Sequence, residues 1–232
     1  LGKRVIIPSF SNPIYIFDSD YDDVFRSELI KECMRLRNET ESIDKDFYSE
    51  STVGWQSEKI LFNTKDPNLQ KISQLIINGI VHTTQDIAPS FDVSKYNMQA
   101  EGWVNVNEKE TLHKPHIHGG LTTFSGVYYV KISKPESENE RNNPDNLSGC
   151  IEFIDPRNSV KNYGGVAHEL KDSIPFRESI LMRPVEGRLI ILIVIFKVFS
   201  EYCKTGQYKR VWLFSNLSPL IDLKPIFWSI TL

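Results

Sequence analysis

The stretch HKPHIHGG at 113–120 holds three of the five histidines of the chain. His116 and His118 stand two residues apart, so on a β-strand both side chains would point the same way. Neutral imidazole is a common ligand of iron, zinc, copper and nickel. The pair therefore suggests two ligands of a metal site. Solvated histidines at the end of a strand would show the same spacing, and two ligands do not complete a site.

The other histidines are weaker candidates for a third ligand. His113 precedes His116 by three residues across Pro115, and we interpret it as an outer or surface residue. His82 falls within a predicted helix, where a structural role is expected. His168 lies in the loop YGGVAHELKD and would ligate a metal only if that loop folded over the paired histidines.

Two helices are predicted before the histidine pair. In the segment DSDYDDVFRSELIKECMRLRNETES, Asp22 or Asp23 could cap the start, and apolar residues then recur at helical spacing. They are Phe25, Leu29, Cys33 and Leu36. The segment DPNLQKISQLIINGIVHTTQDIA has Pro67 near its start and a second apolar face. This face consists of Leu69, Ile72, Leu75, Ile76 and Ile80.

From residue 97 onward the pattern is that of β-strands. Gly, Pro, Asn and Ser separate the candidates NMQAEGWVNVN, FSGVYYVKIS, GCIEFIDP, SILMRPVEG, RLIILIVIF and RVWLFSN. The polar segment at 134–149 is predicted to be a surface loop. The whole pattern predicts a mainly β fold with helices packed outside it, but the period alone does not choose among jelly roll, barrel and Ig-like sandwich.

Composition is that of an ordinary globular protein. The 232 residues carry a formal net charge of −3 and no basic run, so the sequence gives no sign of nucleic-acid binding. The apolar run at 189–196 is shorter than the roughly 20 residues of a membrane helix. The first ten residues have no long apolar core, so no signal peptide is expected. Three widely spaced cysteines, at 33, 150 and 203, fit a reducing compartment, and we expect a cytoplasmic protein.

Several motifs, in order, resemble one protein family. The segment GWVNVNEKETLHKPHIHGGLTTFSGVYYVKIS is similar to the core of iron(II)/2-oxoglutarate-dependent oxygenases found in phages, cyanobacteria and marine bacteria, which resemble prolyl 4-hydroxylases. The matching positions are Trp103, Asn105, His116, His118 and Ser125 to Tyr129. Further matching segments are PSFSNPIYIFD near the start, GWQS at 54–57, GCIEFIDPR at 149–157 and RPVEGRLII at 183–191.

The resemblance implies a double-stranded β-helix, or jelly roll, that binds Fe(II) at its open end and uses 2-oxoglutarate and O₂ as cosubstrates. It places His116 and His118 as metal ligands, with His118 where the wider superfamily has a carboxylate. Arg210 falls where the family has the partner of the 2-oxoglutarate carboxylate. Tyr128 and Tyr129 have opposite facings on their strand; one of them is expected to line the cosubstrate pocket, and Tyr128 is the residue we choose.

The resemblance stops after Ile191. Counted without gaps, the distal histidine of the family falls at Val198, and valine cannot ligate a metal. Three accounts are open. His168 or Glu201 completes the site; or the domain has lost the iron chemistry; or residues from about 192 onward are a frame-shifted reading. The last is favoured because one event explains the lost histidine and the unusual tail, and the nucleotide sequence would test it.

We therefore expect a single domain over 1–232, with a supporting region at 1–95, a jelly-roll core at 96–216 and an atypical tail at 217–232. The first function hypothesis is a hydroxylase-type 2-oxoglutarate/Fe(II) oxygenase of unknown substrate, impaired by the missing ligand. The second is a non-catalytic jelly-roll module for binding or structure. The third is a cupin-like metal protein that uses His113, His116 and His118.

Overall fold

The fold is described from a computed structural model. The described residues are 12–42, 54–92, 95, 97–107, 113–116, 122–132, 149–155, 179–193, 197–200 and 210–220. At 97–98, 113–115, 197–200 and 210–220 the description is of the backbone.

Within the described residues, ten strands form two antiparallel sheets. The six-stranded sheet has the order β1-β8-β5-β10-β3-β2, and the four-stranded sheet has the order β4-β9-β6-β7. The strands are β1 Ile14–Asp18, β2 Trp55–Gln56, β3 Asn97–Asn107, β4 His113–His116, β5 Phe124–Lys131, β6 Ile151–Ile154, β7 Ser179–Met182, β8 Arg188–Ile193, β9 Lys197–Ser200 and β10 Arg210–Leu220.

From β3 onward the chain passes repeatedly between the two sheets. β3, β5, β8 and β10 belong to the larger sheet, whereas β4, β6, β7 and β9 belong to the smaller one. Strands that alternate in this way between two facing sheets form a double-stranded β-helix, so the predicted jelly roll is confirmed. Periodicity could not make this choice because it carries no information about which strands pair.

Both predicted helices are confirmed. Helix α1 spans Asp23–Glu39, and Asp22 caps it by accepting a hydrogen bond from the backbone N–H of Phe25. Helix α2 spans Pro67–Ile87, and Asp66 accepts from the N–H groups of the first turn. Neither helix, within the part of the chain that the structure describes, is long and apolar enough to cross a membrane.

The larger sheet is covered on one face by the helices and on the other by the smaller sheet. The helix-facing cluster is built from α1, α2 and alternate residues of β3, β5 and β8; it includes Leu29, Cys33, Leu69, Ile72, Ile76, Val104, Val106, Tyr128, Leu189 and Ile191. The inter-sheet cluster consists of Val127, Tyr129, Ile151, Phe153, Ile190 and Leu192. Since β5 and β8 contribute to both clusters, the larger sheet forms the centre of the molecule.

Two glycines allow close approach in this packing. A Cβ built on Gly126 of β5 would lie 2.6 Å from the backbone carbonyl oxygen of Ile190. A Cβ built on Gly79 of α2 would lie 2.8 Å from Cδ1 of Ile191, which is the end of a flexible side chain. The first contact is therefore rigid and the second can adapt.

We expect Gly126→Ala to lower the free energy of unfolding by about 1–3 kcal/mol, because β5 and β8 must move apart. Gly79→Ala is the matched control. Its contact can adapt, and alanine gains about 1 kcal/mol of helix propensity over glycine, so the change should be near neutral. Urea titrations of both variants measure the difference, and a Gly79→Ala loss as large as that of Gly126→Ala would refute this account.

Strand β10 extends beyond the predicted core boundary at 216. It pairs with β3 along its whole length, from Arg210 to Leu220, and with β5 only as far as Leu217. Pro219 therefore lies where β10 has a neighbour on one side alone, which is where a residue without a backbone N–H is tolerated in a sheet. The first four residues of the segment assigned to the tail thus belong to the larger sheet.

Candidate active site

Strand register places His116 on the inner face of the smaller sheet. His116 at the end of β4 pairs with Val198 of β9, and Val198 pairs in turn with Phe153 of β6. Residues directly opposite each other in antiparallel strands share a face of the sheet. Phe153 is 1% exposed and belongs to the inter-sheet cluster. The half-buried His116 is therefore placed on the face that looks into the jelly roll.

The residue opposite His116 is Val198, the position at which the ungapped count along the sequence placed the missing distal histidine. Valine has no atom that can coordinate a metal. The other candidate ligands, His118, His168 and Glu201, lie outside the described residues. Their assignment stays a prediction.

The described residues do not by themselves fit a three-ligand iron site. No group of three His, Cys, Asp or Glu side chains within the described ranges is arranged to hold a metal ion. His116 supplies one imidazole, and an aliphatic residue stands across from it. Among the residues that the structure describes, the donor set on this face is thus short of the three ligands that a non-haem iron site requires.

Buried polar side chains line the space between the sheets. Trp103 of β3 packs against the inter-sheet cluster, so Asn105 and Asn107, at the alternate positions of the same strand, share its face. Asn105 is 1% and Asn107 is 3% exposed, and Ser125 on β5 is 4% exposed. Asparagine is seldom fully buried. Buried side chains of this kind need polar partners in an otherwise apolar core.

Strand β10 brings Arg210 beside this polar lining. Arg210 is the first residue of β10, and its register partner is Asn107. Two residues further, Trp212 pairs with Asn105 on one side and with Tyr129 on the other. The start of β10 thus lies between the two strands that carry the buried asparagines and Tyr129.

The two adjacent tyrosines of β5 lie on opposite sides of the larger sheet, as the alternation predicted. Tyr128 is in the helix-facing cluster, and its hydroxyl lies 3.0 Å from the hydroxyl of Ser19. Burial raises the pKa of Tyr128, so the phenol stays protonated. Tyr129 is in the inter-sheet cluster. The sequence interpretation named Tyr128 for the cosubstrate pocket, but a ligand bound between the sheets would meet Tyr129.

The buried asparagines and the serine were not among the residues chosen from the sequence. Asn105 and Ser125 were noted as parts of the family motif without a role in the site, and Asn107 was not singled out. Their signal is a polar residue that repeats with period two in a strand whose neighbours are apolar, as in the stretch GWVNVN.

The stretch that contains these positions matches a known protein family. Residues 101–196 match the family described as "Putative 2OG-Fe(II) oxygenase". The match runs from β3 to just beyond β8, so Val198 and Arg210 lie outside it. No curated protein matches the chain.

Solved structures share the fold over most of the chain. A Pseudomonas putida prolyl-4-hydroxylase has a TM-score of 0.57 at 11% identity, covering 90% of this chain and 93% of its own. HygX from Streptomyces hygroscopicus, solved with nickel and 2-oxoglutarate bound, has a TM-score of 0.56 at 11% identity over 90% and 84%. A Trichoplax adhaerens prolyl hydroxylase, in complex with a hypoxia inducible factor peptide fragment, has a TM-score of 0.58 at 9% identity over 88% and 83%.

At these identities the similarity establishes the double-stranded β-helix and no more. The family match covers residues 101–196, which is less than half of the 232-residue chain.

Proposed function

We propose that the chain is a hydroxylase-type 2-oxoglutarate/Fe(II) oxygenase domain that binds 2-oxoglutarate between its two sheets. The observation that supports this most directly is the buried polar lining formed by Asn105, Asn107 and Ser125. The reaction class is hydroxylation of an unidentified substrate, coupled to conversion of 2-oxoglutarate and O₂ to succinate and CO₂.

The lining suits a dicarboxylate for electrostatic reasons. A buried carboxylate is tolerated only if it is paired or accepts hydrogen bonds. In this proposal Arg210, whose backbone pairs with Asn107, binds the distal carboxylate through the two parallel hydrogen bonds that guanidinium groups favour. The amides of Asn105 and Asn107 and the hydroxyl of Tyr129 act as further donors. The apolar remainder of the inter-sheet cluster excludes water from the cosubstrate.

The primary substrate is proposed by class. HygX has been solved with hygromycin B and the Trichoplax adhaerens enzyme with a peptide fragment, so similar folds accept small molecules and peptides. We propose a substrate of one of these two classes. The sequence suggests substrate contacts in the loops at 134–149 and 158–175, of which only Gly149 lies within the described residues.

Anaerobic binding followed by oxygen admission tests the proposal. Purified protein with Fe(II) and 2-oxoglutarate should show a weak metal-to-ligand charge-transfer band in the visible range, and oxygen should then give succinate. Glutarate, which lacks the 2-oxo group, is the control and should give no band. Failure of 2-oxoglutarate to bind in calorimetry, with or without metal, would overturn the proposal.

A second function is favoured by one observation, which is the valine opposite His116. A jelly roll with an incomplete metal site could persist as a non-catalytic module that binds a small molecule or a partner. Binding of 2-oxoglutarate without charge-transfer band or succinate would favour this module over the oxygenase.

A further inference from the structure

We propose that Ile132 closes the inner end of the cosubstrate pocket and selects 2-oxoglutarate over longer 2-oxo dicarboxylates. This inference rests on the proposed function and deepens it, because it assigns chain-length selectivity to one side chain. Ile132 directly follows β5 and is half-buried.

A β-bulge interrupts strand β5 just after Tyr129. Trp212 of β10 pairs with Tyr129, whereas the preceding Val211 pairs with Lys131. Val130 is therefore an extra residue on β5. Such an extra residue shifts the alternation of the side chains that follow it.

The bulge turns Ile132 toward the space between the two sheets. Strict alternation from Tyr129 would place Lys131 on the inter-sheet face and Ile132 on the helix-facing one. Instead, Val130 belongs to the helix-facing cluster, and Ile132 packs against the inter-sheet cluster that contains Tyr129. An apolar side chain thus occupies the inward position that alternation would give to a lysine.

Glu186 holds the bulged segment in place. Its Oε1 accepts a hydrogen bond from the backbone N–H of Ile132 at 3.1 Å and lies 2.9 Å from Nζ of Lys131. The next residue, Gly187, donates its N–H to the carbonyl oxygen of Tyr129 at 2.8 Å. These contacts fix the backbone before and after the bulge, so Ile132 can act as a rigid wall.

Ile132 lies beside the residue that is proposed to bind the distal carboxylate. Lys131 pairs with Val211 in antiparallel strands, so the residue after Lys131 is level with the residue before Val211. Those two residues are Ile132 and Arg210. The wall therefore stands next to the start of β10.

This is the end of the jelly roll away from His116. Met182, the last residue of β7, pairs with Ile151, which is level with His113 at the start of β4. The turn that holds Ile132 leads directly from Met182 into β8. The wall thus lies near the start of β4, whereas His116 lies at its end.

A dicarboxylate with its 2-oxo end toward His116 and its other end at Arg210 would meet Ile132 with the distal carboxylate. 2-Oxoadipate has one more methylene group than 2-oxoglutarate, which would push its carboxylate against the isoleucine. A single methylene in a fitted apolar pocket changes selectivity by about 10–200-fold. We expect the wild type to prefer 2-oxoglutarate by a factor in this range.

Two substitutions should shift this preference in opposite directions. Ile132→Ala moves the wall back and should improve 2-oxoadipate binding relative to 2-oxoglutarate by about tenfold, whereas Ile132→Phe should worsen it by about tenfold. Calorimetry with Mn(II) present measures the ratio of the two dissociation constants. A general loss of folding would not move this ratio in two directions.

Ile193→Ala is the matched control. Ile193 is also a half-buried isoleucine of the larger sheet, but it packs against the helix-facing cluster. Its truncation should leave the ratio at the wild-type value.

Glu186 allows an independent test of the wall. Glu186→Ala removes the acceptor of the Ile132 N–H, so the ratio should move toward that of Ile132→Ala. Glu186→Gln keeps an oxygen that can accept this hydrogen bond, and it should retain the wild-type ratio.

The outcomes separate this inference from the proposed function. An unchanged ratio in both Ile132 variants, with 2-oxoglutarate still bound, would overturn the inference and leave the oxygenase standing. Equal binding of both acids by the wild type would do the same. Opposite shifts at position 132 without succinate formation would support the inference and favour the non-catalytic module. No binding of 2-oxoglutarate to the wild type would overturn both.

Discussion

Replacing Tyr129 by phenylalanine should weaken 2-oxoglutarate binding by about 10–100-fold, whereas the same change at Tyr128 should leave binding unchanged. Hydrogen bonds to charged groups contribute about 1.5–3 kcal/mol, and every 1.4 kcal/mol is about tenfold in affinity. Tyr129 belongs to the inter-sheet cluster, where the cosubstrate is proposed to bind. Calorimetry with Mn(II) present, which avoids turnover, measures the effect.

Tyr128→Phe is a closely matched control because it removes the same atom from the adjacent residue of the same strand. Its hydroxyl contacts Ser19 on the helix-facing side, so its loss should cost about 1 kcal/mol of stability. A loss of binding in Tyr128→Phe with none in Tyr129→Phe would mean that the pocket lies on the other side of the larger sheet.

Truncation of Phe153 should produce the largest loss of stability, about 3–5 kcal/mol for Phe153→Ala. The ring is 1% exposed and joins the smaller sheet to the inter-sheet cluster. The total stability of a domain is about 5–15 kcal/mol, so a substantial part of it is at stake. Chemical denaturation followed by fluorescence and circular dichroism gives the value.

Ile180→Ala is the control for this prediction. Ile180 is the register partner of Phe153 on β7, but it is 37% exposed, so truncation removes less buried area and should cost clearly less. Equal losses in the two variants would show that the smaller sheet, and not its contact with the larger one, determines stability.

Local signals in the sequence were sufficient for the helices and most strands. Asp22, one of two candidate caps, precedes apolar residues at helical spacing, and helix α1 begins directly after it. Pro67, noted near the start of the second segment, is the first residue of helix α2. Strand β9 was not predicted as an element of its own. It has four residues, and what makes it a strand is pairing with β4 and β6, which lie far away along the chain.

Less of the candidate site could be predicted from the sequence, because its position depends on which face of each strand is covered by the helices and which by the second sheet. Alternation established that Tyr128 and Tyr129 point in opposite directions, but only the packing of α1 and α2 decides which direction is the interior of the jelly roll. Likewise, the burial of Asn105 and Asn107 is evident only once a second sheet is known to cover their face of β3.

The central place of β10 also has a consequence for the order in which the protein can assemble. It is the last of the described strands to be synthesised, yet it lies between β3 and β5, which are made about a hundred residues earlier. A nascent chain would hold β3 and β5 with unpaired edges until residues 210–220 leave the ribosome, and such edges invite pairing with other chains. Formation of the larger sheet is therefore a late event that depends on contacts distant in sequence, which are slow to form.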